Sequence, residues 1–466
     1  MTVAQTQMQA RPAPAELLPT LGEATRVWAR IGLLSFGGPA GQIALMHKEL
    51  VEERRWIGEE RFLHALNYCM LLPGPEAQQL AVYIGWLMHR TIGGLIAGLL
   101  FILPGALVML GLSILYVTWR HVPLIDGLFF GVKAAVLAIV IEAGIRISRR
   151  ALRNGAMVAV AVAAFVAIFL FRAPFPAIVL GAGLVGWLGS HVRPDWFGAG
   201  ARHGAAGPDR VGLVDRLLSE GALAHVRPSG GKALRVLALW LPLWLGPVAL
   251  LWLVAGPASV WTQIGGFFSV MAVVTFGGAY AVLAYVAQAA VDGFGWLAAG
   301  EMLDGLGLAE TTPGPLILVL EFVGFLGAFR HPGGLNPWTA AILGSLVTTW
   351  VTYVPCFLWI FLGAPYIEAL RENRSLSAAL GAITAAVVGV IANLALWFGL
   401  HVLFREVYSL PFLGMAPEVP VLTSLDWRAG LLAAGAAIAL LRFKLGMMPV
   451  LAACAVAGIL LKGGFG

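Results

Sequence analysis

Glycine and proline interrupt two apolar segments of this chain in the same way. Gly37, Gly38 and Pro39 break the first segment, and Gly277 and Gly278 break the second. A helix that restarts after such a break has free N–H groups and the positive end of its dipole, which favour an anion. The alternative is that the glycines only allow helices to pack closely. We call these positions the Gly-Gly breaks and treat them as candidate anion-binding sites.

A Pro-Gly-Pro break follows each Gly-Gly break, as Pro73-Gly74-Pro75 and as Pro313-Gly314-Pro315. Two prolines around a glycine cannot lie within a continuous helix, because each removes a backbone hydrogen bond and clashes with the preceding turn. At membrane depth the freed backbone groups must face protein, water or ligand. We expect these breaks to line a transport pathway, although a purely structural turn could use the same residues. Polar side chains nearby favour the pathway: Asn67, Gln78, Gln79, Thr311 and Thr312.

Two carboxyl groups lie close to the Pro-Gly-Pro breaks in the sequence. Glu76 follows the first break directly, and Glu310 shortly precedes the second. Ionisable groups in apolar segments are costly and usually functional. Because desolvation favours the protonated form of a carboxyl, either group could bind and release protons near neutral pH. The alternative is a structural ion pair with a basic residue such as Arg90 or Lys133.

Lys133 lies within an apolar span that also contains Glu142. Its charge could bind an anion directly, or it could pair with Glu142. We include Lys133 among the predicted substrate-binding residues. The equivalent positions in the second half are Thr384 and Asn393, so these charges belong to the first half only.

The breaks are part of a repeat that covers most of the chain. Ser35 to Gly38 returns as Thr275 to Gly278, and Trp56 returns as Trp296 in the same register. Farther along the chain, Pro104 matches Pro355 at a larger offset between the two copies. An insertion around residues 331–337 of the second half explains this change of offset. Paired halves with helices broken at matched positions are typical of secondary transporters.

The composition is that of a polytopic membrane protein. Apolar residues make up 59% and charged residues 12% of the chain, whereas soluble domains have about 25% charged residues. Runs such as Leu95–Val117 and Leu234–Ala255 are long enough to span the hydrocarbon. The net charge of +6 is spread over loops, without the basic run that nucleic-acid binding needs. We therefore expect an all-α fold in the lipid bilayer and no nucleic-acid partner.

The charged loops divide the chain and orient it. We predict a disordered tail over residues 1–20, a first repeat over 21–190, a cytoplasmic linker over 191–233 and a second repeat over 234–466 with an extra leading helix. Lys and Arg concentrate on the cytoplasmic side of membrane proteins. Several loops of the first half are rich in Lys and Arg, whereas the equivalent loops of the second half contain few of these residues. The halves are therefore predicted to be inverted, each with two broken hairpins and four crossings. This makes about 13 membrane elements, with the N-terminus in the cytoplasm and the C-terminus in the periplasm.

The sequence lacks the residue patterns of metal, redox and nucleotide sites. Cys69, Cys356 and Cys454 lie far apart in apolar segments, and the histidines form no HxxxH or HExxH pattern. There is no GxxxxGK[ST] phosphate-binding loop, so we do not expect ATP to drive the protein. We expect no cofactor, no metal and no enzyme activity. A membrane-embedded reductase, the enzymatic alternative, would need a redox centre.

Further residues complete a recognisable set around the breaks: Ser35 to Pro39, Trp56 with Phe62, Leu72 to Leu80, Tyr83 to Gly85, Phe101 to Gly105, Thr275 to Gly278 and Thr312 to Pro315. This set resembles the long, two-domain form of the chromate ion transporter family. The resemblance implies an antiporter of the inner membrane that exports chromate and confers chromate resistance, with energy from the proton-motive force. Sulfate is the chemically similar dianion. The resemblance also implies that half-length members work as pairs, and an oligomer of this chain is compatible with its sequence.

The two halves differ where the chemistry would take place. Glu76 corresponds to Leu316, and Gln78 corresponds to Leu318. We therefore expect one anion site weighted toward the first half, with Glu76 or Glu310 as the proton-coupling group. The alternatives are an oxyanion channel built on the same broken helices and a sulfate-type anion carrier.

Overall fold

The fold is built from helices, as the apolar runs predict. The computed structural model describes residues 18–197, 212–219, 224–226, 228–276, 278–367, 374–410 and 415–463. Within these residues, six helices are long and apolar enough to cross a membrane, and shorter apolar helices accompany them. The prediction of an all-α polytopic membrane protein is confirmed. Residues 1–17 of the predicted tail and much of the predicted linker lie outside the described residues.

The first half begins with a well-capped helix, because Thr20 and Glu23 form a capping box at its N-terminus. A π-helical turn over Lys48–Glu53 extends the second helix. The helices of this half and of the predicted linker are α1 (Leu21–Leu34), α2 (Gly38–His47), α3 (Glu59–Cys69), α4 (Glu76–Trp119), α5 (Pro123–Ala151), α6 (Gly155–Phe171), α7 (Phe175–Val192), α8 (Pro194–Phe197) and α9 (Leu213–Ser219), followed by a 3-10 turn over Ala224–Val226.

The second half repeats this order after one additional helix. Its helices are α10 (Gly230–Ala255), α11 (Val260–Val274), α12 (Ala279–Gln288), α13 (Ala299–Thr311), α14 (Val319–Arg330), α15 (Pro337–Gly363), α16 (Arg374–Leu403), α17 (Trp427–Leu441) and α18 (Met447–Gly463). A π-helical turn covers Ala289–Gly293, and 3-10 turns cover Leu316–Leu318, Ala364–Tyr366 and Leu422–Ser424. Strands β1 (Val407–Ser409) and β2 (Glu418–Pro420) pair antiparallel between α16 and α17.

Helix α4 folds back on itself at His89 and Arg90, where the backbone leaves the helical conformation. The arms before and after this turn pack glycine against glycine. A Cβ atom at Gly85 would lie 2.5 Å from the carbonyl oxygen of Gly93, which only glycine tolerates. The second arm, residues 91–119, therefore runs back alongside the first arm and, being longer, continues beyond it.

The second half repeats the hairpin and exchanges packing partners with the first. α14 and α15 approach at Gly344, where a Cβ atom would lie 2.6 Å from the carbonyl oxygen of Gly324. α5 packs against α17 and α18, and α16 packs in the same way against α6 and α7. Small residues allow these helices to approach closely. The buried core therefore lies where the two halves interlock.

The described part of the predicted linker packs against one end of the first half. Asp215 of α9 accepts hydrogen bonds from Nε of Arg61 at 2.8 Å and from the backbone N–H of Gly58 at 2.7 Å. A ring nitrogen of His225 lies 3.0 Å from the carbonyl oxygen of Trp86. These contacts place the linker beside the α2–α3 turn and the turn of α4.

Candidate transport site

Each Pro-Gly-Pro break is hydrogen-bonded to the Gly-Gly break region of the other half. The backbone N–H of Gly314 donates to the carbonyl oxygen of Ser35 at 2.9 Å, and that of Gly74 donates to the carbonyl oxygen of Thr275 at 2.8 Å. We call the Ser35–Gly314 contact the first crossing and the Thr275–Gly74 contact the second crossing. Each half thus satisfies backbone groups that the other half's break sets free, as membrane depth requires.

Positive φ angles explain why glycine occupies the breaks. The angle φ is 86° at Gly37, 68° at Gly38, 118° at Gly74, 95° at Gly278 and 89° at Gly314. Glycine adopts such angles without the steric cost that a Cβ atom imposes. The repeated glycines are therefore a backbone requirement of both crossings.

The prolines at the breaks have two roles. Some lie at the start of the helix or turn that follows the break, and the carbonyl groups of the others contact neighbouring residues. Pro39 lies in the first turn of α2, and Pro75 directly precedes α4. A proline's missing N–H costs nothing at the start of a helix. The carbonyl oxygen of Pro73 accepts a hydrogen bond from Nε2 of Gln79 at 2.7 Å. Pro315 precedes the Leu316–Leu318 turn, and the carbonyl of Pro313 lies against Gly105.

Gln42 reinforces the first crossing and is absent from the residues predicted from sequence. Its Nε2 atom, buried on α2, donates to the carbonyl oxygen of Gly314 at 2.6 Å. The available signal was a glutamine in an apolar segment shortly after the Gly-Gly break. The equivalent residue in the second half is Val282, which has no such donor. The two crossings are therefore unequal.

Gln78 lies fully buried near the start of α4. Neither its amide nitrogen nor its amide oxygen has a hydrogen-bond partner among the described residues. Leaving a buried polar group unpaired costs about 1–3 kcal/mol. Gln78 is therefore a polar side chain whose burial a ligand could compensate, whereas the amide nitrogen of Gln79 is already bonded to the backbone.

Both predicted proton-coupling carboxyls lie beside the second Gly-Gly break. Oε1 of Glu76 lies 3.9 Å from the place that a Cβ atom at Gly278 would occupy. Glu310 is buried at the end of α13 and accepts a hydrogen bond of 2.5 Å from the hydroxyl of Tyr280, near the start of α12. Among the described residues neither carboxyl forms the ion pair with Arg90 or Lys133 that was the predicted alternative.

The first Gly-Gly break has different surroundings. A Cβ atom at Gly37 or Gly38 would meet no atom of the described residues within 4 Å. One Gly-Gly break therefore faces open space at a helix start, and the other faces a carboxylate. The difference follows from the sequence, because the equivalent of Glu76 is Leu316.

Of the remaining predicted residues, those that the structure describes form no hydrogen bond with the opposite break. The hydroxyls of Thr311 and Thr312 donate to carbonyl oxygens in the last turns of α13 at 2.8 and 2.9 Å. Asn67 is exposed on α3. Gly277 lies outside the described residues.

Lys133 lies away from the breaks. Its Nζ atom is 3.3 Å from Oδ1 of Asp304 on α13, roughly 10 Å along that helix from its broken end. The hydroxyl of Tyr116 donates to the other oxygen of Asp304 at 2.8 Å. Glu142, the predicted alternative partner, is instead 3.6 Å from Arg146 one turn along α5. Asp304 and Tyr116 were not predicted, because no local pattern links them to Lys133.

A comparison with known families accounts for the doubled architecture. The family model described as Chromate transporter matches residues 22–187 and 262–459. The chain belongs to the chromate transporter family. The Chromate transport protein of Pseudomonas aeruginosa is 33% identical over 391 residues, which cover 82% of this chain and 83% of that protein. The Chromate transport protein of Cupriavidus metallidurans is 27% identical over 376 residues, which cover 80% and 81%.

Shorter proteins are also similar to part of this chain. An uncharacterized transporter of Bacillus subtilis is 33% identical over 117 residues, which cover 25% of this chain and 59% of that protein. No solved structure matches the chain. Each of the two segments matched by the family model contains one Gly-Gly break and one Pro-Gly-Pro break, so the crossings join the two segments. Family membership supports a role in chromate transport for this multi-span membrane protein.

Proposed function

We propose that this protein is a secondary active carrier that exports chromate from the cytoplasm in exchange for protons and so confers chromate resistance. The reciprocal pair of crossings carries the proposal. It places polar backbone, an unpaired amide and two carboxyls at the contact between two repeated halves, which is where carriers bind their substrates. The carrier lies in the inner membrane, with the N-terminus in the cytoplasm and the C-terminus in the periplasm.

Contacts at the two ends of the second arm of α4 support inverted halves. The His89 end lies near the start of the chain, because a ring nitrogen of His89 is 2.7 Å from the carbonyl oxygen of Pro19. The predicted linker, whose Asp215 binds Arg61, also packs at this end. Glu301, the repeat equivalent of Arg61, instead pairs with Arg120 beyond the far end of the second arm. Equivalent positions of the halves thus lie at opposite ends of one helix arm.

The oxyanion binds beside Gly37 and Gly38 in this proposal, where α2 begins in open space. The free N–H groups and the dipole of a helix start favour a dianion there. The N–H groups of Gly74 and Gly314 hold the crossings instead, because each already donates across the two halves. Gln78 contributes its unpaired amide to the pathway.

Protons are carried by Glu76 and Glu310 at the other Gly-Gly break. The carboxyls lie at one Gly-Gly break and the hydrogen-bond donors for the anion lie at the other. The anion and the protons can therefore cross in separate steps of the transport cycle, as exchange requires. The membrane potential also favours export. Moving two negative charges out of an inside-negative cell yields about 4.6 kcal/mol per 100 mV, and inward protons add the energy of the pH gradient.

Chromate efflux from liposomes tests this proposal. Vesicles with purified protein are loaded with chromate, the membrane potential is clamped with potassium and valinomycin, and the outside is made acidic. The expected result is faster efflux with the pH gradient than without it. Equal efflux would overturn proton exchange, and equal efflux at rates far above carrier turnover would favour a channel. Competition by sulfate and molybdate would then rank the oxyanions.

A further inference from the structure

A cavity of about 350 Å³ lies apart from the four breaks, between the α4–α5 turn, α5 and α13. A water molecule occupies about 30 Å³ of liquid, so this space is large enough for a small hydrated ion. Its polar lining residues are Tyr116, Arg120, His121, Asp126, Lys133 and Asp304. The cavity is at the end of α4 opposite the His89 turn.

Positive charge exceeds negative charge around this cavity when the ion-pair partners of its lining residues are counted. Lys133 is paired with Asp304, and Arg120 and Arg330 both contact Glu301, the latter at 2.8 Å. Three cations thus share two carboxylates. Asp126 adds no net charge, because Nζ of Lys462 lies 2.5 Å from it. A small anion would neutralise the surplus.

Arg120 and Lys133 reach the open space, as does Asp126, which is paired with Lys462, whereas Glu301 and Asp304 lie behind them. The side chains of Arg120 and Lys133 are 37% and 27% exposed, but those of Glu301 and Asp304 are only 2% and 6% exposed. An anion entering the cavity therefore meets the ammonium of Lys133 and the guanidinium of Arg120 before it meets Glu301 or Asp304, and Lys462 compensates the charge of Asp126. A guanidinium group can bind two oxygens of a tetrahedral oxyanion at once.

The residues that line and close this space come from both halves. Tyr116, Arg120 and Lys133 belong to the first half, whereas Glu301 and Asp304 belong to α13, the helix that ends at the second Pro-Gly-Pro break. An anion bound to Lys133 would weaken the link from Lys133 to α13. Helix α13 thus links the cavity to the second Pro-Gly-Pro break.

We propose that this cavity is a second binding site for a tetrahedral oxyanion dianion, and that the anion competes there with Asp304 for Lys133. The inference rests on the proposed function, because it supposes that the protein carries such anions. With the proposed orientation the site faces the periplasm, where an exported anion would leave. The equivalent of Lys133 is Thr384 and that of Asp304 is His64, so the second copy has no matching site.

Sulfate binding to the full-length protein in nanodiscs tests the proposal, since sulfate is a dianion that does not oxidise the protein. Calorimetry at low ionic strength should show about tenfold weaker sulfate binding for Lys133→Gln, the loss expected when one charge partner is removed. Asp304→Asn removes the competitor and should strengthen binding several-fold. Thr384→Val is the matched control at the repeat-equivalent position and should bind like the wild type.

Opposite effects of the two variants distinguish a binding site from a structural ion pair. If Lys133→Gln binds sulfate as the wild type does, or if Asp304→Asn weakens binding as Lys133→Gln does, the proposal is overturned. Should Asp304→Asn fail to fold, His121→Cys provides a second measurement that keeps Lys133, because His121 lines the cavity and Cys69, Cys356 and Cys454 are buried. Sulfate should slow the reaction of this cysteine with a charged thiol reagent, and an unchanged rate would contradict the site.

Chromate flux measured in parallel separates this inference from the proposed function. If the protein carries no chromate but binds sulfate through Lys133, the proposed function fails and the site stands. If chromate flux is normal and sulfate affinity does not depend on Lys133, the site fails and the proposed function stands.

Discussion

Gly74→Ala perturbs the second crossing at a single atom. The added Cβ would lie 2.9 Å from Sγ of Cys356 and 2.9 Å from Nε2 of Gln79, closer than real Cβ contacts. Holding an alanine at positive φ costs about 1–2 kcal/mol. Displacing Gln79 from the carbonyl of Pro73 leaves buried polar groups unpaired, at about 1–3 kcal/mol. The expected total is about 2–5 kcal/mol, together with a loss of chromate transport.

Thermal melting and chromate efflux measure this effect against a matched variant. Gly111→Ala adds the same methyl group to α4, where it would meet no atom of the described residues within 4 Å. We expect Gly111→Ala to melt and transport like the wild type. Combining Gly74→Ala with Cys356→Ala should recover only the part of the lost stability that comes from the contact with the sulfur atom. If Gly74→Ala and Gly111→Ala behave alike in both assays, the crossing does not depend on glycine and the reasoning is refuted.

Three further predictions concern buried polar groups. Gln78→Leu should keep or raise the melting temperature, because it removes an unpaired amide, yet slow chromate transport more than about tenfold; unimpaired transport would contradict a role in the pathway. Glu310→Gln should abolish the response of efflux to the pH gradient while Tyr280→Phe retains it, and a retained response in both would exclude Glu310 as a proton carrier. Burial lowers the pKa of His225, against the opposing effect of its hydrogen bond to the Trp86 carbonyl. The docked linker therefore favours the neutral ring, and its stabilisation is lost as pH falls below the ordinary histidine range. Relative to the intrinsic exchange rate at each pH, residues 224–226 should be less protected from hydrogen exchange at about pH 5 than at neutral pH; equal protection would contradict this.

The helix breaks could be predicted because glycine and proline act locally. A Pro-Gly-Pro sequence cannot continue a helix, whatever surrounds it, and the structure ends α3 before Pro73 and begins α4 after Pro75. The turn at His89 and Arg90 has no such signal, because neither residue is glycine or proline. The contacts of Gly85 with Gly93 that fix this turn become visible only once the arms are packed.

Which residues meet across the halves could not be predicted from the sequence. Lys133 was singled out as an ionisable residue in an apolar span, but its partner Asp304 lies in the other half, and only the packing of α5 against α13 brings them together. Gln42 was missed for the same reason, since it binds Gly314 of the other half, and Tyr280 was missed because its partner Glu310 lies 30 positions away in the same half. Repeat comparison did predict that the halves differ chemically at Glu76.

Locating chromate by the anomalous X-ray scattering of its chromium atom would test the account most directly. Crystals of the full-length protein with chromate should show a chromium peak in the open space at the start of α2, placed so that the chromate oxygens lie within hydrogen-bonding distance of the amides of Gly37 and Gly38. A chromium peak found only away from all four breaks would contradict the claim that the crossings form the transport site.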